Sequence, residues 1–298
     1  MASVWQMGVR ETSLLRGTKL GQTAVVTALM TTCLVGAAFA ESQKEYRFTV
    51  GHNANISIDT QYGAISVRPG ADNAVIVTAT LKSDKVEVDQ QQNGNRIEIA
   101  THLLPGSNQE NGQVDYEVTV PADAKLALRS STGPLSAQHL QGDVTLEGPD
   151  AMVDVRDISN AHVHVRTMRG PITLTDVRNA HVELESLSGD LHMKSVTGPL
   201  VQATSSSGQI FYDGDFGSDG DYKFTTHTGD IEALVPAEVS ADFRAHSVLG
   251  RVHHDFPLKS QHSRYPSDAG RSFVGTMGKA ASQVVLRSFS GKIRLKQR

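Results

Sequence analysis

Cysteine and tryptophan are almost missing from the chain, and aromatic residues make up 5% of its 298 positions. The single cysteine is Cys33 and the single tryptophan is Trp5. From residue 41 onward, the sequence therefore excludes disulfides, thiolate metal sites and cysteine nucleophiles. The shortage of aromatic residues also predicts a core of many small apolar side chains in regular layers.

Basic residues are also few, with 28 Lys and Arg against 32 Asp and Glu. Residues 1–40 hold three of the basic residues and one of the acids, so the remainder carries 25 basic and 31 acidic residues, a net charge of −6. Nucleic-acid-binding domains are usually basic. We expect no nucleic-acid partner.

The N-terminal 40 residues have the pattern of a secretory signal peptide. Arg10, Arg16 and Lys19 precede an uncharged stretch over 21–40, which ends in Ala38-Phe39-Ala40 and is followed at once by polar residues. A basic region, an apolar core and an A-x-A end are what the export machinery and signal peptidase recognise. We expect residues 1–40 to be cleaved before Glu41 and the protein to reach the periplasm or the cell surface. The alternative is an uncleaved anchor, since twenty residues can just span a bilayer.

A repeat is the strongest signal in the sequence. A glycine recurs at intervals of mostly 19–21 residues, always with Ser or Thr three positions before it. Apolar residues stand seven and five positions before this anchor glycine and two after it. The anchors are Gly133, Gly170, Gly189, Gly208, Gly229, Gly250 and Gly291, with a weaker copy at Gly63.

This register predicts an all-β fold built from equivalent units. Apolar positions that alternate with polar ones indicate half-buried strands, so each unit has two short strands. Ser/Thr-x-x-Gly between them is typical of a turn, because glycine tolerates positive φ and a hydroxyl can bond a local backbone group. Stacking of such units gives a parallel β-solenoid with coils of about 19–21 residues. A β-sandwich also shows short strands at similar intervals and is the alternative.

The repeat divides the chain into three parts. The signal peptide, residues 1–40, is followed by an irregular N-terminal β part at 41–125. Residues 126–298 form the regular repeat domain, with an insertion at 256–281 that explains the doubled spacing before Gly291.

The segments Val114–Gly133 and Gly275–Leu295, with the repeated S/T-x-x-G-x-I/L units, resemble a bacterial β-strand-repeat domain of unknown function labelled "putative adhesin". The resemblance covers nearly all of the chain after residue 40. It implies an exported, solenoid-like fold with an envelope or surface role. It transfers no catalytic residues.

Two groups of side chains are candidate metal ligands. The first is an acidic, glycine-rich turn with Asp213, Asp215, Asp219 and Asp221, whose oxygens suit Ca²⁺ but whose spacing matches neither the EF-hand loop nor the calcium nonapeptide. A simple solvated bend is therefore favoured over a Ca²⁺ site. The second is the set of histidines, in which His162 and His181 stand one repeat apart and are expected to stack on one face. No carboxylate recurs in register with them, so a solvated histidine stack is favoured over a metal site.

No enzyme chemistry is expected. The Ser and Thr of the repeat are explained by the turn, no G-x-S-x-G is present, and no acid pair is set apart from the repeat. We expect neither a catalytic residue nor a cofactor.

Two hypotheses of function remain. The first is an adhesin-like binding module for a surface polysaccharide or an envelope protein. The second is a periplasmic structural or regulatory component that acts through protein contacts during envelope stress. The second gains support from the last coil, Lys292–Arg298, whose exposed edge is expected to allow self-association, although its basic residues can equally act as gatekeepers against strand addition.

Overall fold

A computed structural model describes residues 42–71, 73–255, 259–260 and 270–298. Every regular element among them is a strand, because Val, Ile and Leu alternate with polar residues in short runs that turn residues separate. The strands are β1 (Ser42–Thr49), β2 (Asn55–Thr60), β3 (Ile65–Pro69), β4 (Ala74–Leu81), β5 (Val86–Asn93), β6 (Arg96–Leu103), β7 (Val114–Val120), β8 (Lys125–Ser130), β9 (Leu135–Gln138), β10 (Val144–Gly148), β11 (Val153–Arg156), β12 (His162–Thr167), β13 (Ile172–Thr175), β14 (His181–Ser186), β15 (Leu191–Lys194), β16 (Leu200–Ser205), β17 (Ile210–Asp213), β18 (Asp221–Thr226), β19 (Ile231–Val235), β20 (Ala241–Ser247), β21 (Val252–His254), β22 (Lys259–Ser260), β23 (Ser272–Met277), β24 (Ser282–Ser288) and β25 (Ile293–Gln297).

The strands form two sheets, and each coil from β8 to β21 gives one strand to each sheet. Sheet A has the order β1-β4-β7-β3-β9-β11-β13-β15-β17-β19-β25-β21. Sheet B has the order β22-β23-β20-β24-β18-β16-β14-β12-β10-β8-β2-β6-β5. From β8 to β19, successive coils stack in chain order, and every neighbouring pair is parallel.

The pairing joins equivalent positions of successive repeats. His162 pairs with His181 and Val163 with Val182 in sheet B, and Ile172 pairs with Leu191 in sheet A. The prediction of a parallel β-solenoid with two strands per coil is therefore confirmed. The β-sandwich alternative is wrong, because parallel pairing between equivalent residues is what a stack of coils requires.

The core lies between the two sheets and consists mainly of Val, Ile, Leu and Ala side chains. Its exception is an aromatic cluster in the coils around β17 and β18. Phe216 packs there with ring centroids 4.9 Å from Tyr212, 5.0 Å from Tyr222 and 5.6 Å from Phe243. The acidic turn between β17 and β18 is two residues longer than its counterpart between β15 and β16, and it places the buried Phe216 where that turn places Val196.

The Ser/Thr-x-x-Gly turns form a column of buried hydroxyl groups along one corner of the stack. Ser186 Oγ accepts a hydrogen bond from Gly189 N at 2.8 Å, and Ser205 Oγ does the same for Gly208 N at 2.9 Å. The expected bond from hydroxyl to local backbone is confirmed. Buried backbone donors need such partners.

The anchor glycines are needed for close approach between coils. Positive φ occurs among them only at Gly63, so the expectation that these turns require it is wrong for the others. A Cβ at Gly208 would lie 2.0 Å from the carbonyl oxygen of Gly189, and one at Gly170 would lie 1.7 Å from that of Ala151. Any side chain at these positions would collide with the neighbouring coil.

The last coil of the chain does not lie at the end of the stack. β24 lies between β18 and β20, and β25 lies between β19 and β21. The prediction of an exposed edge at Lys292–Arg298 is wrong, because β25 is paired on both sides. Coil order cannot be read from the repeat, since all coils share one register.

The opposite end of the stack also departs from chain order. In sheet B, β6 lies nearer the end of the stack than β2, and in sheet A, β7 lies nearer the end than β3. The antiparallel strands β1 and β4 complete sheet A, and the antiparallel strand β5 completes sheet B. The predicted signal peptide, 1–40, lies outside the described residues, as does part of the predicted insertion at 256–281. No helix that could span a membrane is present in the described portion of the chain.

Candidate binding face on sheet B

The outward face of sheet B, from β2 to β14, carries three parallel columns of polar side chains. They arise because alternate residues of each strand point outward and equivalent residues stack across coils. We call this region the sheet-B face; its outer columns are Lys125, Asp143, His162 and His181 on one side and Arg129, Glu147, Arg166 and Glu185 on the other, and its middle column is Ser57, Ala127, Thr145, His164 and Glu183.

The first outer column is a continuous polar network. Lys125 Nζ donates to Asp143 Oδ2 at 2.8 Å, and His162 Nδ1 lies 3.0 Å from Asp143 Oδ1. The rings of His162 and His181 meet edge to face, with centroids 4.8 Å apart. The hydrogen bond from Lys125, together with those from the backbone and ring of His162, lowers the pKa of Asp143 to about 2, so its carboxylate is charged at neutral pH.

The second outer column consists of two ion pairs between coils. Arg129 Nε lies 2.9 Å from Glu147, and Arg166 Nη2 lies 2.6 Å from Glu185. Exposed pairs of this kind contribute little to stability. The pairs place long charged side chains on adjacent strands, which are spaced regularly at about 4.8 Å.

A trough lies beside the first outer column, on the coils where the residues of the middle column are short. Ser57, Ala127 and Thr145 form its floor, and Arg96 and Lys125 rise beside it. The depression has a volume of about 440 Å³. In such a shape, a polymer chain can approach the small residues of the floor closely. The side chains beside it supply both hydrogen-bond donors and hydrogen-bond acceptors.

The predicted histidine stack is present, but one premise about it is wrong. Partner carboxylates do recur: Asp143 lies beside His162, and Glu183 lies 3.4 Å from His164 Nδ1. Each partner stands on the neighbouring coil, so a search within a single repeat misses it. Reading each column across coils would have found both pairs.

Other histidines lie away from this face. His192 lies on sheet A with its ring centroid 6.0 Å from that of Phe211. The His254 ring packs against Phe273 at 4.3 Å, and His253 Nε2 lies 3.0 Å from Asp255. In the part of the chain that the structure describes, no group of three or more His, Cys, Asp or Glu residues is placed to hold a metal ion.

The four aspartates of the acidic turn do not converge. Asp213 pairs with Arg298, and the Asp215 carboxylate accepts a bond from Gly217 N at 3.3 Å. Asp221 begins β18 and Asp219 has a positive φ of 62° in the bend.

Backbone carbonyl groups of this turn, which a calcium loop would use as ligands, already accept hydrogen bonds within the fold. Tyr212 Oη donates to the carbonyl of Asp215 at 3.1 Å, and Ser282 Oγ donates to that of Phe216 at 2.8 Å. The turn thereby binds the last coil to the aromatic cluster.

The trough was not predicted from the sequence. Its signal is the set of small residues Ser57, Ala127 and Thr145, which stand six positions before Gly63, before Gly133 and before Ala151, the residue at the anchor position of the coil between Gly133 and Gly170. Within a single strand, a small outward-facing residue does not predict a binding surface. Only the parallel stacking of the coils places the three residues side by side.

Comparisons with known proteins place the chain among β-repeat domains. A family model described as Toastrack DUF4097 matches residues 53–296. A "putative adhesin" structure from Bacteroides fragilis is 11% identical with a TM-score of 0.48, covering 86% of this chain and 98% of its own. One from Parabacteroides distasonis is 11% identical with a TM-score of 0.43, covering 87% and 98%. A "putative cell adhesion protein" from Clostridium sporogenes is 12% identical with a TM-score of 0.30, covering 86% and 100%. Comparison with curated proteins gave no match.

Proposed function

The chain belongs to the Toastrack DUF4097 family, and on that basis we propose that it is an exported, non-catalytic binding protein of the cell envelope with an adhesin-like role. Its partner, a surface polysaccharide or an envelope protein, lies along the trough of the sheet-B face. The observation that carries this proposal is the alignment of Lys125, Asp143 and His162 beside a floor of small residues. Repeat proteins commonly bind extended partners along such regular surfaces.

The side-chain chemistry supports a binding role over catalysis. Where the described carboxyl groups have a shifted pKa, the shift is downward, at Asp123, Asp143, Asp150 and Glu232. A general acid needs the opposite shift, toward neutral pH. The buried hydroxyl groups of the repeat are engaged in bonds between coils, which leaves their role structural.

Export is supported by the basic and apolar pattern of residues 1–40 with its A-x-A end. Protease treatment of intact cells, followed by N-terminal sequencing of the recovered protein, tests it. We expect a mature chain that starts at Glu41 and is digested from outside. Protection until the envelope is opened would refute adhesion, and an intact leader in the cytosol would refute export.

Binding is tested by retention of the purified protein on polysaccharide isolated from the same envelope. A Lys125→Ala/Arg129→Ala variant is expected to lose affinity by about tenfold or more, because two charged contacts are removed. Lys194→Ala on sheet A is the control, since Lys194 is also exposed but lies on the other face. Equal affinity in both variants would exclude the sheet-B face.

A second candidate function, a structural or regulatory envelope component, is favoured by an apolar corner of the stack. Met168, Leu187, Phe289 and Leu249 are each between 43% and 64% exposed along the Ser/Thr-x-x-Gly turns. The Phe289 ring stacks on His227 with centroids 4.7 Å apart. Exposed apolar patches of this kind often mark protein contacts. Cross-linking in cells that is abolished by Leu187→Glu/Phe289→Glu, with polysaccharide retention unchanged, would favour this function.

A further inference from the structure

We propose that a second cavity, separate from the sheet-B face, binds one ring of a neutral pyranose sugar. It lies where the loop at 105–112 meets the turn at 61–64, and its volume is about 290 Å³. Its lining includes Tyr62, Gln109, Gln113, Asp115, Thr132 and Pro134. The proposal adds a site and a ligand class to the proposed function and does not depend on the trough.

The cavity is held open by the backbone around it. Tyr62 O accepts a hydrogen bond from Val114 N at 3.0 Å, and Ala64 N donates to Asp115 Oδ1 at 2.8 Å. Gly63 has a φ of 118°, and a Cβ there would lie 2.1 Å from Val114 O. A site fixed in this way needs no ordering when a ligand binds, which favours affinity.

The loop that forms the outer wall is rigidified by one side chain. Asn108 Oδ1 accepts bonds from Glu110 N at 2.9 Å and Asn111 N at 3.0 Å. Gly112 lies against the Tyr62 ring, which a Cβ at this position would approach to 3.2 Å. Gln109 of this loop and Tyr62 of the turn at 61–64 both line the cavity.

The lining has the chemistry that a sugar ring requires. A pyranose has an apolar C–H face and a rim of hydroxyl groups, so it matches an aromatic ring beside paired donors and acceptors. Tyr62 supplies the ring. Gln113 Nε2 lies 3.0 and 3.1 Å from the two carboxylate oxygens of Asp115, an amide and carboxylate pair that can meet adjacent hydroxyl groups. Thr132 adds a hydroxyl at the rim.

The absence of positive charge sets the ligand class. Of the described residues that line this cavity, none is Lys or Arg, whereas Asp115 carries negative charge. A sulfated, phosphorylated or uronic sugar would meet like charge without compensation. A neutral hexose or an N-acetylated hexosamine fits.

The repeat pattern does not require an aromatic residue at position 62, directly before the anchor Gly63. The residues that precede the other anchors in the stack of turns are Thr132, Arg169, Ser188, Ser207, Thr228, Leu249 and Ser290. An aromatic residue therefore occurs at this position only in the one coil that the 105–112 loop covers.

The test is saturation-transfer NMR on the mature protein with methyl β-glucopyranoside, methyl α-mannopyranoside and N-acetylglucosamine as probes. We expect at least one probe to bind with a dissociation constant near 1 mM and to receive saturation mainly at its ring C–H protons. Tyr62→Ala should weaken binding about tenfold, whereas Tyr62→Phe, which keeps the ring, should change it less than about twofold. Lys125→Ala should leave this binding intact, which separates the site from the sheet-B face.

The proposal is overturned if none of the three probes binds at about 10 mM, or if Tyr62→Ala binds as the wild type does. Thermal unfolding shows whether Tyr62→Ala is folded. Should it be unfolded, Thr132→Arg is used to fill the cavity from its half-exposed rim, and unchanged binding in that variant refutes the site equally.

Discussion

At the scale of single residues, the buried hydroxyl of Ser130 shows how the repeat joins one coil to the next. Its Oγ accepts a bond from Gly133 N at 2.9 Å and donates one to Gly63 O on the neighbouring coil at 2.8 Å. The sequence predicts the first bond, because Ser130 and Gly133 are local. The second could not be predicted, since it depends on which coil lies alongside.

Replacing this hydroxyl should destabilise the stack. Ser130→Ala leaves the buried Gly133 N and Gly63 O without their partner, and we expect the free energy of unfolding to fall by about 1–3 kcal/mol. Urea denaturation measures it. The control is Ser131→Ala at the adjacent, partly exposed position, where a loss below about 0.5 kcal/mol is expected. Equal effects of the two substitutions would refute a bridging role for Ser130.

The pKa of Asp143 predicts a pH dependence with a definite sign. Its folded-state value of about 2 lies below the unfolded value near 3.9. Its ion pair therefore stabilises the fold above about pH 4, and this contribution is lost as the pH falls from about 4 to about 2. Since the Asp143 side chain is 37% exposed, solvent screening keeps the effect below about 1 kcal/mol.

The measurement is urea denaturation of Asp143→Asn at a series of pH values. We expect the variant to show a shallower loss of stability between about pH 4 and pH 2 than the wild type. Thr145→Val, on the same strand and without a titrating group, should keep the wild-type slope. A steeper slope in Asp143→Asn would contradict the assigned direction.

At the scale of elements, the repeat predicts each strand and its inward face but not the position of the last coil. Ile293 has the same inward pattern as Ile231 and Val252, so the sequence assigns it to a coil without saying where that coil stacks. The structure places it between those two residues, pairing with both. The acidic turn shows a similar limit: its aspartates are visible in the sequence, whereas the burial of Phe216 depends on the aromatic side chains around it.

Substituting Ile293 should therefore unfold the protein locally rather than dissociate an oligomer. Ile293 is fully buried, and Ile293→Lys places a charge in the core, for which we expect a loss of about 3 kcal/mol or more. Gln297→Lys adds the same charge at the exposed end of β25 and should be close to neutral. Chemical denaturation and light scattering measure both. A stable, monomeric Ile293→Lys variant of an oligomeric wild type would contradict the interior position of β25.

At the scale of the whole molecule, the two faces of the stack differ in character. The trough lies on sheet B beside Ser57, Ala127 and Thr145. On the same coils the outward column of sheet A is Ser66, Ser136 and Asp154, and it continues to His192 and Phe211 on later coils. Parallel stacking turns the same residue type on successive coils into a line, so a ligand that spans several coils meets a regular series of groups. A partner bound in this way should contact sheet B and not sheet A.

Site-specific photocross-linking in intact cells distinguishes binding on sheet B from binding on sheet A. A photoreactive residue is placed at Ala127, on the floor of the trough, or at Thr173, on the outward face of sheet A. We expect an adduct of raised mass from position 127 and none from position 173. Adducts from position 173 alone, or from neither position while the protein is folded and exported, would contradict binding through the sheet-B face.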